Sequence, residues 1–355
     1  MASKLPHLIV LLLLAFTFQV SASAQDAATT NRLVAEASKL SQSADSIESF
    51  TKLLDICRQA RALPLVGEHE KYFRELSSWS YNKRGELLSS EANKLEDNHA
   101  RLVAEKKSLL DFENAVRLNP RSWKSVHNRG VSHAVIGDTQ KAMADFNATI
   151  RLNSRFANAW YNRAELKYQL GQYTQAISDY SQAIRLDPKD AAAYNGRGHS
   201  RYLLEQYKAA LSDYSQAVRL APNQMEGYAN RADALSDLGY WETSIRDYQQ
   251  ALKIDAKADR AKQGLAWVLA TCPDVQFRNP QQAVRYAQEA LADPTGKDYR
   301  YYDTLAAAQA AAGKYTEAQQ SISKAVQLAP EADQKLLEHR KVLYEADQPY
   351  REPGR

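Results

Sequence analysis

Cysteine, glycine and proline are all scarce in this 355-residue chain, with two Cys, 13 Gly and 11 Pro. The two cysteines, Cys57 and Cys272, have no CxxC spacing and no neighbouring His. They exclude a disulfide-built scaffold and a thiolate metal centre, and are expected to be two separate thiols. Few Gly and Pro beside abundant Ala favour helix. A strong excess of one charge is also missing: the net charge is +4, and loss of the first 24 residues would remove only Lys4. So weak and dispersed an excess argues against a nucleic-acid or anionic-membrane surface. Catalytic signatures are absent too. The sequence holds no GxxxxGK[ST], HExxH, GxSxG or Cys cluster. The seven His are scattered, and His127 and His133 are six apart, so they do not share a helical face. Neither an enzyme, a metal site nor a cofactor is expected.

Long apolar runs are confined to the N-terminus. "LIVLLLLAF", residues 8–16, follows a short polar start with Lys4 and His7, and precedes the small-x-small pattern Ala22-Ser23-Ala24. This order predicts an export signal over 1–24, cleaved near Ala24, giving a periplasmic or secreted chain from Gln25. The alternative is an uncleaved anchor. No Cys follows the cleavage pattern, so a lipoprotein anchor is not supported, and no later segment is apolar enough to cross a membrane.

What the chain has is repetition. At a shift of 34 residues, Arg129, Arg163, Arg197 and Arg231 superpose, as do Asp145, Asp179, Asp213 and Asp247. Phe146, Tyr180, Tyr214 and Tyr248 also align, and so do Ala142, Ala176 and Ala210 with Ser244. Gly137, Gly171 and Gly239 form another column, with Glu205 in place of Gly. Pro188 and Pro222 align with Ser154 and Ala256. Self-similarity at such a period marks a repeat array.

These columns resemble the tetratricopeptide repeat, or TPR: helix, Gly turn, helix, stop. The resemblance implies an all-α, right-handed superhelical solenoid of antiparallel helix pairs. Regular copies are placed at 123–156, 157–190, 191–224 and 225–258, and another at 299–332. Residues 77–122 form a copy with about 11 extra residues, since Arg84 and Asp111 are 27 apart where the regular spacing is 16. Residues 259–298 form a degenerate copy with a long turn around Cys272-Pro273-Asp274. Divergent helices over 25–76 cap one end and a helix over 333–346 the other. The polar segment 347–355 reads as a flexible tail. "LAWVLATCPD", "YYDTLAAA" and "LYEADQPYREP" come in an order similar to the end of a group of exported bacterial TPR proteins.

Arg163 sits where helical periodicity favours an apolar residue. Each repeat Arg precedes an Asp by 16 residues and follows the previous repeat's Asp by 18. Either Asp could face it, so a structural ladder of Arg129, Arg163, Arg197 and Arg231 with Asp145, Asp179, Asp213 and Asp247 is expected, with the choice of partner open. TPR first helices line a groove, which implies binding residues at Asn128, Asn162 and Asn230, with His127, Tyr161, Glu165, Tyr168, His199, Tyr202, Asp233 and Asp237. Asn side chains there could pair with the backbone of an extended peptide, although Gly196 interrupts the column. The TPR clamp for a terminal carboxylate needs Lys and Asn on one helix and Lys and Arg two helices on; those positions are held here by His127 and Val131, then Ala192 and Gly196, so it is excluded. The function expected is non-enzymatic: an exported scaffold binding a peptide or protein segment. Alternatives are an assembly component self-associating through its ends, and a glycan or cell-wall binder. The expected partner is a protein, with no nucleic acid.

Overall fold

The computed structural model describes residues 24–353, apart from 294 and 296. The expected export signal therefore lies outside the described residues except for Ala24. The described residues form seventeen α-helices, one 3-10 turn and no strand. No described helix is long and apolar enough to cross a membrane. The chain divides into two compact units, 1–166 and 167–355.

The first unit begins with helix α1, 24–41. It continues with α2 (Ile47–Arg61), α3 (Glu68–Ala92), α4 (Asn98–Leu118), α5 (Trp123–Val135) and α6 (Thr139–Leu152). Helix α7 (Ala157–Gln169) contains the division. Leu33, Phe50, Leu53, Cys57 and Phe73 bury a core shared by α1, α2 and α3. Helix α3 is one continuous helix from 68, so a repeat boundary at 77 falls inside it. The extra residues of this hairpin lengthen its turn end. Relative to the regular pair α5 and α6, α3 runs two residues further past its Arg and α4 starts seven residues earlier before its Asp. The added length surrounds Glu105, 1% exposed, which accepts hydrogen bonds from Ser89 (2.9 Å) and Ser132 (2.5 Å).

The second unit runs through α8 (Tyr173–Leu186), α9 (Ala191–Tyr202), α10 (Tyr207–Leu220), α11 (Met225–Asp237) and α12 (Trp241–Ile254). It ends with α13 (Asp259–Thr271), α14 (Pro280–Ala290), α15 (Tyr299–Ala311), α16 (Tyr315–Leu328) and α17 (Glu331–Glu345). Small residues set the helix spacing. A Cβ on Gly198 would lie 2.8 Å from the Tyr214 ring, and one on Gly130 would lie 3.0 Å from the Phe146 ring. The position after each repeat Arg must stay small because the aromatic residue of the second helix lies on it.

Turn chemistry explains the period. Each regular hairpin ends its first helix on a left-handed residue: Gly137, Gly171, Gly239 or Gly313. The next N–H then bonds five residues back, as Asp138 does to His133 (2.8 Å) and Tyr240 to Leu235 (2.8 Å). Glu205 keeps this geometry at φ 57 without being Gly. Between repeats, the stop does not need Pro. Asn119, Asn153, Asp187 and Asp255 each turn a side-chain oxygen onto the N–H two residues on, at 2.9–3.2 Å. Repeats with Ser154 or Ala256 at the Pro column thus end like those with Pro.

Of the expected flexible tail, residues 347–353 are held in place. Asp347, at φ 55, reverses the chain, and Gln348 N–H bonds Leu343 C=O (2.9 Å). Residues 350–353 then lie against α13. Glu352 N–H donates to Thr271 C=O (2.9 Å), and Arg351 Nη1 donates to Ala270 C=O (2.7 Å).

Candidate functional site

The Arg column forms ion pairs. Arg84, Arg129, Arg197 and Arg231 each grip the Asp of their own hairpin with Nε and Nη2, at 2.6–3.0 Å. Their partners Asp111, Asp145, Asp213 and Asp247 are buried. The bond to the Asp side chain holds the guanidinium pKa of Arg84, Arg129 and Arg231 above its usual value. The link to the preceding repeat is made by a neutral side chain. Arg163 Nη1 donates to Asn147 (2.7 Å), and Arg197 Nη1 donates to Ser181 (3.0 Å), both 16 residues back. An aromatic ring three residues before the Arg lies under it: Tyr81, Trp160, Tyr194 or Tyr228, at 4.9–5.6 Å. A second cation one helical turn on completes two sites. Lys167 reaches Asp179 and Arg201 reaches Asp213, each at 2.7 Å. The i+4 spacing of these cations is visible in the sequence.

The Asn column has a different role from a free peptide-reading ladder. Each Asn amide is spent on the first helix of the preceding repeat. Asn128 Nδ2 donates to Asn82 (3.2 Å) and Glu86 (3.1 Å), and Asn230 Nδ2 donates to Asn195 (2.9 Å). Asn162 Nδ2 is 3.0 Å from His127 Nε2. In all three cases one acceptor, Asn82, His127 or Asn195, stands two residues before a repeat Arg, and Gly196 has no side chain to make this bond. In the first unit the bonds run in one direction. Asn162 donates to His127 Nε2, His127 Nδ1–H to Asn128 Oδ1 (3.4 Å), and Asn128 to the Glu86 carboxylate. Burial holds the His127 pKa below its usual value, so the imidazole is neutral and can accept and donate at once.

Beside this chain of bonds opens a cavity of about 470 Å³ between α3 and α5. Helix α3 contributes Glu75, Ser78, Trp79, Asn82, Lys83 and Glu86, which share one face by 3–4 spacing. Trp123, Lys124, His127, Asn128 and Phe156 close the other side. Trp123 packs on Phe156 with centroids 4.6 Å apart, and His127 meets Phe156 edge-on at 4.8 Å. Trp79 is 38% exposed. The cavity is an aromatic slot with amide, carboxylate and ammonium groups at its rim. Of the expected groove residues it contains His127 and Asn128, with Asn162 bonded behind them. Trp79, Trp123 and Phe156 were missed because their positions are not aromatic in every repeat, and stepping by 34 finds only shared columns.

Other expected residues gather elsewhere. In the second unit, Tyr168 lies 5.5 Å from His199, which stacks on Tyr202 at 6.3 Å. Tyr202 donates to Asp237 (2.6 Å), while Asp233 takes bonds from Tyr248 and Arg260. Burial raises the Tyr202 and Tyr248 hydroxyl pKa values, keeping both as donors. Arg260 also donates to Asn230, so Asn230, Asp233 and Arg260 form one network. Tyr161 and Glu165 are half-buried on α7. Cys57 and Cys272 are buried free thiols, and burial raises the Cys57 pKa to about 11. No group of three or more His, Cys, Asp or Glu placed to hold a metal occurs among the described residues.

The TPR repeat model matches residues 164–204, and the tetratricopeptide repeat model matches 191–224 and 226–257. No curated protein matches the chain. Among solved structures, a tetratricopeptide repeat protein from Parabacteroides merdae is 16% identical, with a TM-score of 0.52 over 74% of this chain and 98% of that one. Pseudomonas aeruginosa pilF is 15% identical, with a TM-score of 0.54 over 64% of this chain and 96% of that one. Both show the same helical-repeat fold. The repeat models, the 34-residue columns and the paired-helix geometry agree, and the chain carries tetratricopeptide repeats over residues 164–257 within an all-α fold of the same kind.

Proposed function

We propose that this protein is a non-enzymatic interaction scaffold that binds an extended segment of a partner protein in the cavity between α3 and α5. The observation that carries this reading is the slot between Trp79 and Trp123, about 470 Å³ in volume, with Asn82, Asn128 and Lys124 at its edge. Slots of this size that join aromatic walls to a few fixed polar groups suit an anchoring side chain. The hydrogen-bond chain behind it, from Asn162 to Glu86, holds the wall in place before any ligand arrives. Lys83 and Lys124 beside Glu75 and Glu86 offer both charges to the flanks of a bound peptide. The test is selection of peptides from a displayed random library, followed by calorimetry with purified chain. Trp123→Ala is expected to weaken a selected peptide at least tenfold, with the helical spectrum unchanged. Undiminished affinity for every selected peptide would overturn the reading.

The protein acts outside the cytoplasm in this proposal. The support is sequence order alone: the apolar run 8–16 followed by Ala22-Ser23-Ala24. Mass spectrometry of the protein from producing cells is expected to find an N-terminus at Gln25. A chain that retains residues 1–24 would contradict cleavage.

A further inference from the structure

The degenerate repeat leaves a helix end that its own turn cannot finish. Regular first helices cap their last carbonyls through a left-handed Gly and the N–H that follows it. Helix α13 ends instead at Cys272-Pro273, and Pro273 has no N–H to give. Asn279 N–H reaches back to Leu269 C=O at 2.9 Å. The next two carbonyls are taken by residues 81 positions further along the chain. Ala270 C=O accepts from Arg351 Nη1 (2.7 Å), and Thr271 C=O accepts from Glu352 N–H (2.9 Å). A cation at a helix C-terminus is electrostatically favoured as well as hydrogen-bonded.

The neighbouring groups select the residues on either side. Trp267 Nε1 donates to Glu352 Oε1 at 3.1 Å. Arg340 from α17 lies between two rings, 4.7 Å from Trp267 and 4.5 Å from Tyr350, and its Nη1 pairs with Asp303. The surface therefore asks for an aromatic ring, then a guanidinium, then a carboxylate, on an extended backbone. Tyr350-Arg351-Glu352 supplies that order. Beyond it, Glu352 and Pro353 border a cavity of about 160 Å³ shared with Tyr202, Asp233, Asp237 and Tyr248.

We infer that this face of the second unit is a peptide-binding surface, filled in the free protein by the chain's own residues 350–353 and opened to an external extended peptide of the same aromatic–arginine–carboxylate order. The segment acts as a tethered ligand. It is held through side chains and two helix-end carbonyls, with Tyr350 partly buried against the edge of the α15–α17 core and Arg351 and Glu352 partly exposed, so a matching segment from a partner can replace it. The second unit alone carries this inference, and it does not depend on the cavity between α3 and α5.

The experiment uses the full chain and a fluorescein-labelled peptide of residues 347–353, read by fluorescence anisotropy. Three proteins are compared: wild type, Tyr350→Ala, and the triple variant Tyr350→Ala/Arg351→Ala/Glu352→Gln. Weakening the resident segment is expected to tighten peptide binding at least tenfold relative to wild type. Trp267→Ala added to the triple variant is expected to abolish it. Equal binding by wild type and variants would overturn the inference. So would no binding to any protein at about 1 mM peptide, the effective concentration of a short tether. Limited trypsin digestion gives an independent reading without added peptide. Cleavage after Arg351 is expected to be at least tenfold slower in wild type than in Tyr350→Ala, and equal rates would contradict docking.

Discussion

A buried carboxylate needs a partner more than a guanidinium at a half-open edge does, and this asymmetry governs the Arg column. Asp145 is 5% exposed and is held by Arg129 with two bonds, while His133 Nε2 stands 4.0 Å away. Arg129→Leu strands that carboxylate and is expected to cost about 3 kcal/mol. Arg129→Leu/Asp145→Leu should regain most of it, because an apolar pair needs no counter-charge. Urea unfolding of the three proteins checks this, and a single variant as stable as wild type would refute the pairing account. Glu205 offers a test of opposite sign. Its left-handed backbone, φ 57, matches that of the Gly residues in the other repeats. Glu205→Gly is expected to stabilise by about 1 kcal/mol, read as a higher melting temperature. At this scale the ladder was legible because one residue type recurred at one spacing. Its second cations, Lys167 and Arg201, were overlooked because they vary in type from repeat to repeat.

Elements depart from the regular pattern at two places, and one of them, the end of α13, carries a proposed binding surface. The α3–α4 hairpin is lengthened at its turn, and α13 loses the turn chemistry that ends its counterparts. Helix order, the long turn and the extra residues could be read from the spacing of Arg, Asp and Gly. The docking of residues 350–353 on α13 could not, since its partners lie some 80 residues apart and belong to no repeated column. A polar, Pro-bearing stretch reads as unattached until the uncapped end of α13 is seen. The Asp303–Arg340 pair between α15 and α17 gives a pH signature. Burial pushes the Asp303 carboxyl up to about 6, with Arg340 opposing the shift. In the unfolded chain it ionises near 3.8. Between those values the folded state keeps the proton and the unfolded state does not. Its contribution is therefore present below about pH 4 and lost as pH rises through 6. The stability difference between Asp303→Asn and wild type should shift toward the variant from pH 4 to pH 7, by up to on the order of 3 kcal/mol. A difference independent of pH would contradict a raised carboxyl.

At the scale of the whole molecule, the repeat supplies a framework, and residues outside its shared columns carry the proposed recognition surfaces. Arg–Asp pairs, Gly turns and Asn bridges recur because every repeat must meet its neighbour in the same way. The aromatic slot of Trp79, Trp123 and Phe156 is not required by that framework. Fold alone does not name a function, so the scaffold reading stands on this slot. The most direct measurement is photo-crosslinking of the full chain with a library-selected peptide carrying a photoreactive group at its anchoring residue, followed by mass-spectrometric mapping. Crosslinks are predicted at Trp79, Lys83, Trp123 and Lys124, lost on competition with unlabelled peptide. Competable crosslinks confined to residues outside the slot between α3 and α5 would contradict the account.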